Sequence, residues 1–325
     1  MLEGLNKILT YSETQGKNHI YRDGFVFTAV TEPANIYDGI VIRFPETAKT
    51  YSPQYGFSNK SLKEHIDFIN DNNLEKAVII ADSIDFITQC PCLKCLRIFP
   101  SDCAENNFDY SPLYNMPNIE YLECRTMYDL KEDKSATVDY SQITGLKHLT
   151  VCGEGHRNIK SVKALETLSI HSCKSLKSLD NICGTESLEK LDIIQCGLQS
   201  LSGIENMHCV QKLHLAYNRS LQDINGLEKV CAALKSLTVQ NCSKISDLSV
   251  LEKLENLVHL ELYGNNELKD LSFLNNLKNL KFFVFSMNVL DGDLTPCLNV
   301  EYARSEKNRK HYNLKDKDLP KKLQL

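Results

Sequence analysis

The chain has 325 residues, 42% hydrophobic and 24% charged, with 37 Lys or Arg against 42 Asp or Glu and a formal charge of −5. This composition supports a large apolar core and excludes wholesale disorder, and its mild acidity argues against a nucleic-acid partner. No stretch approaches the ~18 apolar residues of a membrane span, and the opening MLEGLNKILTYSETQGK lacks a basic region followed by an apolar one.

Residues 1–73 read as a small N-terminal α/β cap or appendage. GFVFTAV and GIVIRF are strand-like and are joined by TEPANIYD with its Pro and Asp turn signals. SLKEHIDFIND reads as a helix, with Ser61 and Glu64 at capping-box spacing and Leu62, Ile66, Phe68 and Ile69 as its apolar face. No motif in this part points to a separate activity.

From Leu74 the sequence repeats itself. LEKAVI, LKCLRI, IEYLEC, LKHLTV, LETLSI, LEKLDI, VQKLHL, LKSLTV, LVHLEL and LKFFVF follow one another, each apolar-x-x-apolar-x-apolar apart from the central Ala77 of the first. From Leu93 onward their starts are spaced by 26, 27, 19, 23, 22, 24, 23 and 23 residues. Three residues beyond the last apolar position, six consecutive copies carry Cys173, Cys196, Asn218, Cys242, Asn265 and Asn288. Alternation puts two side chains of each copy on the buried face of a short strand. Where the chain then bends, backbone groups are left inside. An Asn amide satisfies them, and Cys fills the same slot as a small apolar residue with a weak donor. Cys231 stands where later copies have Leu254 and Leu277. The return segments are short, which favours 3₁₀ turns over long helices. Segments 100–116 and 126–144 read as insertions or loops.

This LxxLxLxxN/C pattern resembles leucine-rich repeats. Copies such as SVLEKLENLVHLELYGNNELKDLSFLNNLKNLKFFVFSMN resemble the roughly 22-residue repeats of bacterial internalins and related intracellular proteins. The resemblance implies a curved solenoid of about ten repeats over residues 74–303, with a parallel sheet on its concave side, and so an α/β fold class with the small N-terminal cap. Residues 304–322 hold eight Lys or Arg against three Asp or Glu and read as a solvated, partly ordered basic extension over 304–325.

Little chemistry accompanies the repeats. Of Cys90, Cys92, Cys95 and Cys103 only Cys92 and Cys95 have the spacing of a zinc pair, so no metal site and no cofactor is expected. Thirteen cysteines, an odd number, predict reduced thiols and a cytoplasmic setting. No GxSxG, P-loop, GxGxxG or HExxH occurs.

The outward strand positions form three columns. Ser169, Asp192 and His214 fall side by side in the second, but the carboxylate lies between the other two, the wrong order for a catalytic triad. The same columns carry Arg97, Phe99, Tyr121, Glu123, Arg125, His148, His171, Asp192, His214, His259, Glu261, Tyr263 and Phe282, a mixture of aromatic and charged residues typical of protein interfaces. Phe282, Val284 and Ile194 are expected to be apolar and exposed. The strip covers about 550 Å², from strands ~4.8 Å apart, so a partner must also reach the loops at the strand ends. The expected function is binding of another protein on the concave face without catalysis, the chain being monomeric when unbound. An inhibitor or immunity protein of a cognate enzyme leads; an adaptor or a secreted internalin-like binder is the alternative.

Overall fold

The computed structural model describes residues 19–30, 38–44, 56–101, 108–126, 137–143, 145–182, 184 and 186–322. Cys103, residues 31–37 of the expected TEPANIYD connection and much of both expected insertions lie outside them.

Three strands open the described chain: β1 (Ile20–Arg22), β2 (Phe25–Thr28) and β3 (Gly39–Arg43), paired antiparallel. Helix α1 (Leu62–Asp71) crosses back, and Ser61 and Glu64 form the expected capping box. Ser61 and Lys60 hold the Glu64 carboxyl down at about 2. From β3 onward the large sheet is parallel. It runs through β4 (Lys76–Ala81), β5 (Cys95–Pro100) and β6 (Tyr121–Arg125). A two-stranded side sheet of β7 (Val138–Asp139) and β9 (His156–Arg157) flanks β8 (His148–Cys152). The regular run follows as β10 (Thr167–His171), β11 (Lys190–Ile194), β12 (Lys212–Ala216), β13 (Ser236–Gln240) and β14 (His259–Tyr263). A second side pair, β15 (Glu267–Leu268) and β17 (Asn288–Val289), flanks β16 (Phe282–Phe285), and β18 (Tyr302–Ser305) closes the sheet at 14 strands. Among the described residues no helix is long and apolar enough to cross a membrane.

Each repeat is stitched to its neighbours at the C-terminal end of its strand. Ser172, Gln195, Tyr217 and Asn241 take φ of +52° to +58°, and Gly153 takes +98°. This left-handed turn bends the chain inward and aims each N–H forward, at the last carbonyl of the next strand, for example Gln195 N–H at Ala216 O, 2.8 Å. Ladder residues reach backward. The Asn218 amide donates to Ile193 O (2.7 Å) and accepts from Cys196 N–H (3.0 Å). Cys196 and Cys242 thiols donate to Ile170 O and Leu215 O, the corresponding carbonyls of their preceding repeats.

Cys173, half-buried, gives its thiol to the Glu154 carboxylate at 3.4 Å instead of a backbone carbonyl, and two further ladder expectations fail. Asn265 is exposed, and Asn266 donates instead to Cys242 O and Ile245 O, because Gly264 takes φ +143° and the chain turns inward one residue later. Asn288 belongs to β17, Met287 is buried in the core, and the Ser286 hydroxyl accepts the forward N–H of Gly264 at 3.0 Å in place of a strand carbonyl.

On the convex side most return segments hold a 3₁₀ turn. Asp109, Asp139, Asp247, Asp270 and Asp293 each accept the backbone N–H two residues on, at 2.8 to 3.0 Å, opening the turn. These hydrogen bonds, backbone and hydroxyl, pull the Asp139, Asp247, Asp270 and Asp293 carboxyls below their ordinary value.

The C-terminal extension is not solvated tail. Its first residues lie in β18, and the following segment folds back over the sheet edge. Ala303 N–H donates to Pro320 O and Lys322 N–H to Glu301 O, while Tyr312 and Leu319 are buried. The Tyr312 hydroxyl donates to Met287 O and accepts from Val289 N–H. Several of its lysines serve this closure: Lys315 Nζ caps the carbonyls of Arg309 and Tyr312.

Two predictions follow from these contacts. Asn218→Ala leaves a buried donor and a buried acceptor unpaired and should cost about 3 kcal/mol in urea denaturation, whereas Asn265→Ala should leave the midpoint unchanged. Because the convex Asp carboxyls titrate lower when folded, their contribution is complete above the unfolded value of about 3.9 and is lost as pH falls through the folded values. The urea midpoint should therefore fall on acidification below pH ~4, and fall less in an Asp247→Asn, Asp270→Asn, Asp293→Asn variant.

Candidate functional site

Strand pairing puts the concave side chains in the expected register. The first column runs unbroken from Cys95 through Tyr121, His148, Thr167, Lys190, Lys212, Ser236 and His259 to Phe282. Its next member is Tyr302, one strand beyond the expected end. Register sets which way a side chain faces; accessibility depends on its neighbours, and the two ends of the face are closed.

At the N-terminal end Val26, Val30, Val41, Val78 and Ile80 form a second apolar cluster, on the face of the sheet opposite the main core. Phe99 and Tyr121 pack against it, and burial pushes the Tyr121 hydroxyl up to about 12. Arg97 is bound to Glu123 at 2.6 Å, and the Arg97 and Arg125 guanidinium groups lie 5.6 and 5.4 Å from the Phe99 ring. These residues form one half-buried, mutually neutralising wall.

At the C-terminal end the expectation of exposed apolar residues is overturned. Phe282 and Val284 are each 3% exposed, and His259 and Glu261 are also buried. His259, Phe282 and Tyr302 stack in parallel with ring centres 4.3 and 4.9 Å apart, and the Lys321 ammonium closes the row 5.0 Å from the Tyr302 ring. The stack exists because the chain continues into β18, which covers Phe282. His259 Nε2 lies 3.2 Å from Glu261 Oε1, and Thr238 Oγ1 donates to the same carboxylate. Burial alone would raise the Glu261 carboxyl, but His259 and Thr238 more than offset it and hold it below its ordinary value. Tyr263 is half-buried at the strand end, its hydroxyl pushed up by burial.

The centre is open and polar. His148 Nδ1 lies 3.0 Å from the Thr167 hydroxyl. Ser169 bonds His171 Nε2 on its own strand at 2.8 Å rather than His214. His214 Nδ1 is 3.9 Å from Asp192 Oδ1, and Lys190 Nζ is 3.0 Å from Asp192 Oδ2. Burial pushes the His171 and His214 imidazoles below their ordinary value against the pull of Asp192. A carboxylate between serine and histidine, with the serine bonded elsewhere, is not the geometry of a triad. Among the described residues no group of three His, Cys, Asp or Glu could hold a metal ion. Ile194 is partly covered rather than exposed.

Three accessible side chains escaped the sequence-derived set. Between β4 and β16 the exposed members of the columns are Lys190 and Lys212. Tyr217, 41% exposed, stands just past β12 at the left-handed position, where its hydroxyl accepts from Gln240 Nε2. The signal for Tyr217 was its place one residue beyond the strand, where other copies have Gly153, Asn241 or Gly264.

Phe282→Ala removes the middle of a buried stack and should destabilise by about 3–5 kcal/mol in chemical denaturation. Lys212→Ala should leave the midpoint where it is.

No family model matches the sequence. The solved structure of an internalin, InlF, from Listeria monocytogenes is similar over 74% of this chain and 70% of its own, with 18% identity and a TM-score of 0.50. The leucine-rich repeat domain of the type III effector XopL covers 72% of this chain and 85% of its own at 18% identity and TM-score 0.43. A leucine-rich repeat protein of Leptospira interrogans covers 80% and 84% at 14% identity and TM-score 0.37. The parallel register, the asparagine–cysteine ladder and the likeness to the first of these establish the fold as a leucine-rich repeat solenoid.

Proposed function

We propose that this solenoid is a non-catalytic binding module that takes a partner protein on its concave face. The observation that carries this reading is the hydrogen-bonded parallel register, which holds a row of polar side chains at the centre of the face in fixed positions before any partner arrives. Such a surface loses little conformational entropy on association, so its contacts translate into affinity rather than into ordering. The closed ends support the backbone of that centre, and the chain needs no second copy to complete its core, in keeping with a monomer when unbound.

Within this reading the leading role is an intracellular inhibitor or immunity protein that occludes the active site of a cognate enzyme. All eleven described cysteines are free thiols, and the ladder uses Cys196 and Cys242 as thiols; both support a reducing, cytoplasmic setting.

Photo-cross-linking tests the face. Benzoylphenylalanine at Thr150 or Thr238, on the concave columns, should capture a discrete protein from native lysate, whereas the same group at Lys253, on the convex turn, should not. Capture from Lys253 alone would overturn the concave assignment. Loss of the captured protein's enzymatic activity on binding distinguishes an inhibitor from an adaptor, which would leave that activity intact.

A further inference from the structure

Two neighbouring repeats, those of β11 and β12, each contain a choice that the fold by itself disfavours. Lys190 and Lys212 are directly paired in the parallel register, so two ammonium groups emerge side by side from adjacent strands. Like charges in that relation repel. Asp192 shares its charge with Lys190 at 3.0 Å, but Lys212 meets no carboxylate among the described residues. Elsewhere on the face Arg97 is paired with Glu123 and Glu261 is held by His259 and Thr238, while Arg125 is half-buried against the Phe99 ring. Among the described residues the exposed cations of the columns between β4 and β16 are therefore Lys190 and Lys212, at the accessible centre, in a chain whose overall charge is −5.

The second choice is Tyr217. Its position demands φ near +56°, which glycine adopts freely and asparagine tolerates, as Gly153 and Asn241 do in sister repeats. Ser172 and Gln195 carry the same left-handed strain at φ +57° and +58°, and Tyr217 differs from them in placing an aromatic side chain there, the residue being 41% exposed instead of contributing to the core. A bulky residue held in this backbone region points to a role outside folding. Lys212 and Tyr217 bracket β12, about 17 Å apart at ~3.3 Å per residue. His214 lies between them on β12, with Asp192 beside it on β11.

We infer that the central strip from Lys190 and Lys212 across to Tyr217 is the contact site for an acidic protein segment, its carboxylates seated between the two lysines and an aromatic or apolar side chain against the Tyr217 ring. This deepens the proposed concave-face reading and rests on it. A carboxylate between Lys190 and Lys212 relieves their repulsion, and contact with Tyr217 offsets a strain that the free protein carries. Both disfavoured choices then become favourable in one complex, which neither does in the isolated chain.

A labelled random copolymer of glutamate and tyrosine supplies this chemistry as a probe, read by fluorescence anisotropy on the full chain. Wild type should bind it with an affinity that falls as salt rises. Lys190→Glu with Lys212→Glu should weaken binding about tenfold or more, while Lys253→Glu on the convex side changes nothing. Tyr217→Gly should weaken binding several-fold yet leave the thermal midpoint equal or higher, because it removes strain; a merely structural tyrosine would lower that midpoint. Circular dichroism checks that the charge-reversed variant is folded. Absence of copolymer binding, undiminished binding by either variant, or equal binding of oligo(dT) would overturn the assignment, the last in favour of an unselective polyanion surface. Cross-linking from Thr150 or Thr238 combined with any of these results would leave the concave-face reading standing and remove this one alone.

Discussion

A chain that coils must bend inward once per turn, and each bend carries peptide groups into an apolar interior where no water can serve them. The whole molecule is organised by how that demand is met. In the regular repeats a left-handed residue after the concave strand sends its N–H forward to the next strand, and the ladder residue that follows it sends its amide or thiol back to the preceding one. The repeats of β11, β12 and β13 are thus bonded in both directions at the same place. Removing the Asn218 side chain unsatisfies two backbone groups of the preceding repeat, Ile193 O and Cys196 N–H, which couples neighbours and makes the solenoid behave as more than a row of independent units.

The same demand explains how the solenoid stops. Toward the C-terminus the ladder becomes irregular, with Asn266 replacing the expected Asn265, and Asn288 drawn into β17. The chain there relies less on the ladder and more on aromatic packing. Phe283 and Phe285 fill the core while His259, Phe282 and Tyr302 stack on the opposite face. The last strand would still present an open edge. Residues 306–322 cover it with backbone hydrogen bonds, the Tyr312 side chain and lysine ammonium groups set on carbonyls and on the Tyr302 ring. Two of the lysines of what in the sequence looks like a tail, Lys315 and Lys321, hold this closure.

The strands, their direction and the three columns were legible in the sequence because period-two alternation and a near-constant spacing leave little freedom. The capping box at Ser61 and Glu64 was equally legible, being local. What escaped were features that depend on a neighbour several repeats or one strand away. Phe282 alternates outward as expected, yet lies buried because Tyr302 follows it. Asn265 occupies the ladder position by count, yet Gly264 delays the turn by one residue. The convex Asp turns recur as Asp247, Asp270 and Asp293, each followed two residues later by Ser or Thr, a periodic signal overshadowed by the leucines.

Facing and accessibility are therefore separate properties of a solenoid surface, and they diverge most at its ends. There the face is used to close the structure: apolar side chains cover the first strands, an aromatic stack covers the last, and charges are paired off. Closure at both ends confines recognition to the middle, where repeats are most regular and have neighbours on both sides. Regularity also lets the middle tolerate locally poor choices. A repelling lysine pair and a strained tyrosine are supported by the stitched backbone above and below them, so stability does not forbid them there. A repeat at either end, bonded on one side only, would have no such reserve. The rigidity that makes the fold repetitive is what permits its central repeats to depart from the rules that built it.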